Sequence, residues 1–233
     1  MRRFFGKREN EKYFLIEGDE FYHLSKVLRA KEGEKIIVCS GDDYEHICTI
    51  EQMGKKECRC LIEKTSLCPA NPKKEIVLFQ ALPKKEYLDN IIPKAIELGV
   101  HKIVLYLIDH CAVKDIKRAR VDQQVLSACK QCERSKLVEV TDPMPFKNML
   151  KSLDEFEVVL FANEKERSKK FDPSMVKNKN KIAVIVGCEG GFTKEEIAEI
   201  EKHATSITLG ARILRTDTAS TVMIGLASLF SDN

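Results

Sequence analysis

Residues 184–219 read VIVGCEGGFTKEEIAEIEKHATSITLGARILRTDTA, and this stretch decides the fold class. An apolar run ending at Val186 enters a glycine-bearing loop, Gly187-Cys188-Glu189-Gly190-Gly191. A second short strand, 206–209, enters another loop that begins Leu209-Gly210 and ends Thr218-Ala219. Between them lies an amphipathic helix, 193–203, opened by a capping box of Thr193 and Glu196. A strand that runs into a glycine loop and then a helix N-terminus leaves bare backbone N–H groups where a ligand can meet them. Two such units in tandem exceed what loop closure requires.

Working outward, the same alternation recurs. Residues 75–82, 102–108, 157–162 and Lys181–Val186 read as strands, and 84–98, 116–134 and 144–153 as helices. Pro93 sits inside 84–98 and predicts a kink or a shifted boundary. A closing helix, 216–229, puts Ala219, Val222, Met223, Leu226 and Phe230 on one side. Strands alternating with helices of this length predict a mostly parallel α/β sheet. Ahead of it the pattern differs. Strand-like runs at 13–16, Lys35–Cys39, 47–52 and 58–63 are separated by turns and interrupted by one helical segment, 20–28. That spacing predicts a small β-barrel. The proline-bearing stretch 65–74, TSLCPANPKK, reads as a linker. The expected division is a barrel over 1–68, a linker over 69–74 and an α/β domain over 75–233.

The chain has 233 residues and a net charge of +3, so any nucleic-acid footprint must come from local patches. No apolar run reaches transmembrane length, and MRRFFGKREN lacks the apolar core of a signal peptide, which gives a cytoplasmic expectation. Nine cysteines are scattered singly except for Cys58-x-Cys60 and Cys129-x-x-Cys132, which lack a second pair at zinc spacing. No metal is therefore expected, and the thiols read as reduced core residues. The N-terminus interleaves Arg2, Arg3, Lys7, Arg8 and Lys12 with Phe4 and Phe5. Such residues contact phosphates and stack on bases, or form a solvated terminus around two core rings. Composition leaves both readings open. The loop at Gly187 is neither a Walker loop, having no Lys-Ser/Thr after it, nor GxGxxG. The pattern by itself predicts a small-molecule site at the C-terminal edge of an α/β sheet.

Several segments together resemble the SPOUT methyltransferases, and within them the RsmE family, which methylates N3 of a uridine in 16S ribosomal RNA. His23-Leu24 with Val27-Leu28-Arg29 is similar to the family's HLxxVLR motif, and Lys94-Ala95 with Glu97-Leu98-Gly99-Val100 to KATELGV. Gln131 and Arg134 match EQxxR, residues 186–192 resemble IGPEGGF, and 209–219 resemble LGxRILRTETA. The chain departs from the pattern at Cys188, usually proline, Asp217, usually glutamate, and Ile96, usually threonine. His110-Cys111 replaces a charged tip.

The resemblance implies an S-adenosylmethionine-dependent enzyme with a deep trefoil knot in the α/β domain and a PUA-like, RNA-binding barrel before it. It implies a homodimer acting on assembled small ribosomal subunits, with no metal and no membrane. The implied cofactor pocket comprises Phe161, Ala162, Asn163, Gly187, Cys188, Glu189, Gly190, Gly191, Leu209, Gly210, Ile213, Leu214, Thr218 and Ala219. Arg134 and Arg215 would meet the uracil anion or a phosphate, with Glu189 as a candidate base or loop residue. Arg2, Arg3, Arg29, Gln131 and Arg134 would hold RNA. Two other functions fit the same residues: a SPOUT enzyme for a different RNA nucleotide, and a non-catalytic RNA-binding assembly factor.

Overall fold

The computed structural model describes residues 1–231; the last two residues of the expected second domain, Asp232 and Asn233, lie outside the described residues. The chain divides into two compact units. One is residues 1–71 with Cys129–Leu137; the other is Pro72–Ala128 with the chain from Val138 onward.

The first unit contains β1 (Arg3–Phe5), β2 (Lys7–Arg8), β3 (Tyr13–Glu17), the short helix α1 (Gly18–Tyr22), β4 (Lys35–Cys39), β5 (Tyr44–Met53) and β6 (Glu57–Leu67). Its sheet runs β1-β4-β5-β6-β3-β2. β1 pairs parallel with β4, and β2 pairs antiparallel with β3. One N-terminal segment, bent at Gly6, thus covers both outer strands of the four-stranded centre and closes the sheet on itself. Closure removes exposed edges, which otherwise template aggregation. Gly6 is needed there, because a Cβ would lie 2.9 Å from both the Leu15 carbonyl oxygen and Val38 Cγ1. Phe4, Phe14, Ile16, Leu24, Val38, Cys48, Cys58 and Cys60 fill the interior. Residues 20–28 are not one helix. α1 passes into a wider turn, His23–Val27, in which the Leu28 N–H bonds the His23 carbonyl, and Arg29 ends it at φ 50°. β6 also runs four residues past the expected end at Glu63, into the stretch read as linker. The reason is register: β5 starts at Tyr44, so His46, Glu45 and Tyr44 pair with Thr65, Ser66 and Leu67.

The second unit contains β7 (Glu75–Ala81), α2 (Lys85–Glu97), β8 (Lys102–Leu107), α3 (Arg118–Gln131, whose end belongs to the first unit), β9 (Glu139–Val140), β10 (Met144–Pro145), α4 (Phe146–Ser152), β11 (Val158–Ala162), β12 (Lys181–Val186), α5 (Lys194–Ile200), β13 (Thr205–Ile207) and α6 (Thr216–Ser231). The sheet order is β10-β8-β7-β12-β11-β13, with β9 beside β8 and every pairing parallel. A parallel sheet covered on both faces has strands that read as continuous apolar runs, as β7 and β12 do.

Three expectations meet the structure here. Pro93 lies inside α2, which spans Lys85–Glu97. α3 stops at Gln131, and Glu133 follows it in a left-handed conformation, φ 65°. Residues 144 and 145 form an edge strand against β8, so α4 starts only at Phe146, after Pro145. A fourth concerns α6. Its buried side is Thr216, Asp217, Ser220, Met223, Ile224, Ala227 and Ser231, whereas Val222 and Phe230 are each 36% exposed. The inward face carries hydroxyls because two of them bond into the core, as described below. Among the described residues no helix is long and apolar enough to cross a membrane.

Candidate functional site

In open parallel sheets, ligands bind beyond the carboxyl ends of the strands. A cavity of about 280 Å³ lies there, beyond β11, β12 and β13. Ala162, Asn163, Glu164 and Arg167 line it after β11, and Val186, Gly187, Cys188, Glu189, Gly191 and Phe192 at the end of β12. Thr208, Leu209, Gly210, Arg212, Ile213, Leu214, Arg215, Thr216 and Ala219 follow β13, and Tyr87 enters from α2. Both glycine loops of the opening stretch therefore face one cavity.

A buried polar network holds the two loops together. Gln80, at the end of β7 and fully buried, donates from Nε2 to the Gly187 carbonyl (3.0 Å) and to Thr216 Oγ1 (3.1 Å). Thr216 Oγ1 donates to the same Gly187 carbonyl at 2.6 Å, and Ser220 Oγ donates to Gln80 Oε1 at 2.5 Å. One strand, the first loop and the first turn of α6 are thereby joined through a single amide. Sterics also fix the first loop. A Cβ on Gly187 would lie 2.7 Å from the Phe192 ring, and Gly191 sits at φ +66° with Glu164 Oε1 2.9 Å from where its Cβ would be. After that loop the capping box forms as read: the Glu196 N–H donates to Thr193 Oγ1 (3.1 Å) and the Thr193 N–H to Glu196 Oε2 (2.9 Å). The other Glu196 oxygen accepts the Asp109 N–H at 2.9 Å, tying the loop after β8 to α5.

Of the residues read from sequence, Ala162, Asn163, Gly187, Cys188, Glu189, Gly191, Leu209, Gly210, Ile213, Leu214, Arg215 and Ala219 share this cavity. Phe161, Gly190 and Thr218 do not line it. Phe161 is buried beneath, edge-on to Phe192 at 5.0 Å. Gly190 faces the other way, toward His110, whose Cβ would be 2.5 Å from an added Cβ. Thr218 is exposed, and its N–H donates to Asp217 Oδ1 at 3.0 Å. Glu189 is tethered: its Oε1 accepts the Lys84 N–H, 3.0 Å, at the entrance to α2. Tyr87, Glu164, Arg167, Val186, Phe192, Thr208 and Thr216 were missed; of these Val186, Phe192 and Thr216 carried a sequence signal, lying inside the loop motifs.

In the first unit the basic residues separate. Arg3 is engaged, its Nη2 on Glu45 at 2.8 Å with 8% of its side chain exposed. Arg134 is 2% exposed, outside the cavity walls, and burial lowers its pKa. Neither side chain is presented for an RNA contact. Arg2, Arg29 and Gln131 are exposed. Phe4 is core, so it takes the structural of its two readings.

The cavity's chemistry is specific. Leu209, Leu214, Ile213 and Ala219 supply an apolar wall for a flat ring, and loop backbone supplies hydrogen-bonding groups. Glu164 and Glu189 place carboxylates where a cation such as a sulfonium would be favoured, and Arg167, Arg212 and Arg215 suit anions. These residues fit S-adenosylmethionine, which carries an adenine, a sulfonium and a carboxylate.

Comparison with known proteins agrees. Residues 69–228 match a family described as RNA methyltransferase domain, and 16–63 one described as RNA methyltransferase PUA domain. The ribosomal RNA small subunit methyltransferase E of Bacillus subtilis (strain 168) is 31% identical over 221 residues, covering 88% of this chain and 86% of the relative. A structure of the enzyme of that name from Neisseria gonorrhoeae, bound to S-adenosyl methionine, aligns with a TM-score of 0.85 at 25% identity, covering 99% of this chain and 98% of the other. A putative methyltransferase from Legionella pneumophila with bound SAM aligns with a TM-score of 0.87 at 26% identity, covering 98% and 97%.

Proposed function

The chain belongs to the family of the ribosomal RNA small subunit methyltransferases E, and on that premise we propose that it methylates N3 of one uridine in 16S ribosomal RNA of the small subunit. It is an RNA methyltransferase that uses S-adenosylmethionine. The observation that carries the assignment to this site is the convergence of both glycine loops on one cavity with apolar, anionic and cationic walls.

S-adenosylmethionine supplies an electrophilic methyl group on a sulfonium. The chain's residues then have two tasks, positioning the base and stabilising the anion that uracil becomes when N3 loses its proton. Arg215, exposed on the cavity wall, is suited to the second. Glu189 acts as a loop clamp, since its carboxylate already holds the Lys84 N–H. RNA phosphates would meet Arg2 and Arg29, and Gln131 is likewise exposed in the first unit. The proposal extends to a trefoil-knotted second domain, a cytoplasmic location and a homodimer. Val222, Leu229 and Phe230 leave an apolar strip exposed on α6, which supports pairing with a second copy; a monomer in sedimentation at micromolar concentration would exclude it.

Calorimetry should give S-adenosylmethionine binding in the micromolar range, and base mapping of small-subunit RNA from a deletion strain should show loss of one N3-methyluridine. Unchanged N3-methyluridine would refute the target and leave another RNA nucleotide as the alternative. Arg215→Ala should lower kcat roughly a hundredfold, as removal of one anion-stabilising donor does, with cofactor Kd within about threefold. Equal losses in both would place Arg215 in cofactor binding instead.

A further inference from the structure

The loop that leaves β11 holds a fixed shape beside the cavity. The Glu166 N–H bonds the Asn163 carbonyl at 3.1 Å. Glu166 Oε1 in turn accepts the Ser168 N–H at 2.7 Å, the Ser168 hydroxyl at 2.8 Å and the Lys169 N–H at 3.1 Å. These donors, the Ser168 N–H first, hold the Glu166 carboxyl down to about 2, so the turn keeps its anion at neutral pH. The chain next runs beside the strand end that feeds the second glycine loop. The Thr208 N–H donates to the Lys169 carbonyl at 2.7 Å, and Lys170 forms a parallel bridge with Thr208, a residue of the cavity wall. Lys169 and Lys170 are thereby fixed through their backbones next to that wall, with both residues exposed. Arg167, from the turn, and Arg212, from the second glycine loop, are exposed on the wall itself. Cations elsewhere are held by acids, Arg3 by Glu45 and Lys202 by Glu199. Among the described residues, Arg167, Lys169, Lys170 and Arg212 form no ion pair. The acids of the same loop are engaged otherwise. Glu164 is turned toward Gly191, Glu166 is occupied by its own turn, and Asp172 accepts the Ser174 N–H at 2.8 Å.

We propose that Arg167, Lys169, Lys170 and Arg212 form a phosphate-binding rim that holds the RNA backbone on either side of the nucleotide whose base enters the cavity. This inference rests on reading the cavity as the site of methyl transfer to a uridine. N3 lies on the pairing edge of uracil, so the acceptor base has to leave its partner and turn out of its stack. Its two flanking phosphates stay on the backbone and arrive at the rim with it. Fixed cations there exchange condensed counterions for protein contacts, which is favourable and depends on salt. They also orient the strand without reading its sequence, which leaves the choice of base to the cavity. Arg167 and Arg212, on the wall, are placed to meet the carboxylate of the cofactor as well. Lys169 and Lys170 lie outside the wall, so they isolate the RNA contact from the cofactor contact.

The test is the salt dependence of binding. Small subunits from a deletion strain are titrated with the full chain, S-adenosylmethionine present, between about 50 and 200 mM salt. Each phosphate contact to a single strand adds about 0.7 to the slope of log Kd against log salt. Lys169→Ala and Lys170→Ala should each lower the slope by about 0.7 and the double variant by about 1.4. At about 0.1 M salt the same constant gives a Kd about fivefold higher for each single variant and about twenty-fivefold higher for both. Lys169→Arg combined with Lys170→Arg should keep the wild-type slope, and S-adenosylmethionine affinity in calorimetry should be unchanged throughout. A double alanine variant with the wild-type slope overturns the proposal. So does an arginine pair that loses the slope, or a loss of cofactor affinity equal to the loss for subunits, which would assign the lysines to the shape of the loop. Methylation of the same subunits by the wild-type chain upholds the reading of the cavity whatever the slopes show; a wild-type chain that neither binds nor methylates them overturns both.

Discussion

Gly190→Ala is expected to lower the unfolding free energy by about 2 kcal/mol and Gly190→Val by about 3 or more, within the range for overpacking, and both should weaken S-adenosylmethionine binding at least tenfold. The added Cβ would lie 2.5 Å from the His110 Cβ and 3.1 Å from the His110 carbonyl oxygen. Neither atom is the free end of a side chain, so one loop must move bodily. Glu189 and Gly191 flank the position and line the cavity, so the movement reaches the cavity wall. Sequence alone suggests a different cause, in which the new side chain fills the pocket. A double-mutant cycle separates the two. His110→Gly in the Gly190→Ala background removes the colliding Cβ and should restore much of the affinity, whereas His110→Ala, which keeps it, should not. Equal behaviour of the two double mutants in calorimetry would show that the obstruction lies elsewhere.

Gln80→Leu should cost about 3 kcal/mol of stability and raise the S-adenosylmethionine Kd at least tenfold. The side chain is fully buried, and its removal deprives Gly187, Thr216 and Ser220 of one partner each. Unmet buried hydrogen bonds cost about 1–3 kcal/mol each. Here each group keeps a second bond, Thr216 to Gly187 and the Ser220 hydroxyl to the Thr216 carbonyl, which limits the total. The larger effect is on alignment, because Gln80 is the link from β7 to both glycine loops. Urea unfolding measures the first quantity and calorimetry the second. A stability loss with affinity held within twofold would mean that the network supports the sheet but does not set the cavity.

These two positions show where the sequence was informative and where it was not. β4 and β12 fall on the residues their patterns predict, and the Thr193–Glu196 box is complete, because each depends on neighbours within a few positions. Both glycine loops, which the structure brings to one cavity, were legible as loops for the same reason. Gln80 was not singled out in the sequence, since its partners lie 107 residues away at Gly187 and 140 away at Ser220. The face of α6 was misjudged because its inward residues include hydroxyls satisfied by that same distant amide, which a count of apolar residues assigns to solvent. Arg3 and Arg134 were given RNA contacts on the strength of the family resemblance, Arg134 through its match to EQxxR. Whether a cation is available depends on burial and on acids elsewhere in the fold, Glu45 in the case of Arg3.

The closed sheet of the first unit has a consequence in time. Residues 3–8 are synthesised before the strands they join, yet they are the seam. β2 can find β3 almost at once, but β1 needs β4, which ends at Cys39, and the ring is complete only when β6 joins β5 to β3. Until Leu67 has left the synthesising ribosome, the seam strand has only part of its frame to join, and the nascent chain carries unpaired strand edges. The barrel is therefore a structure whose seam is made before its other strands and secured last.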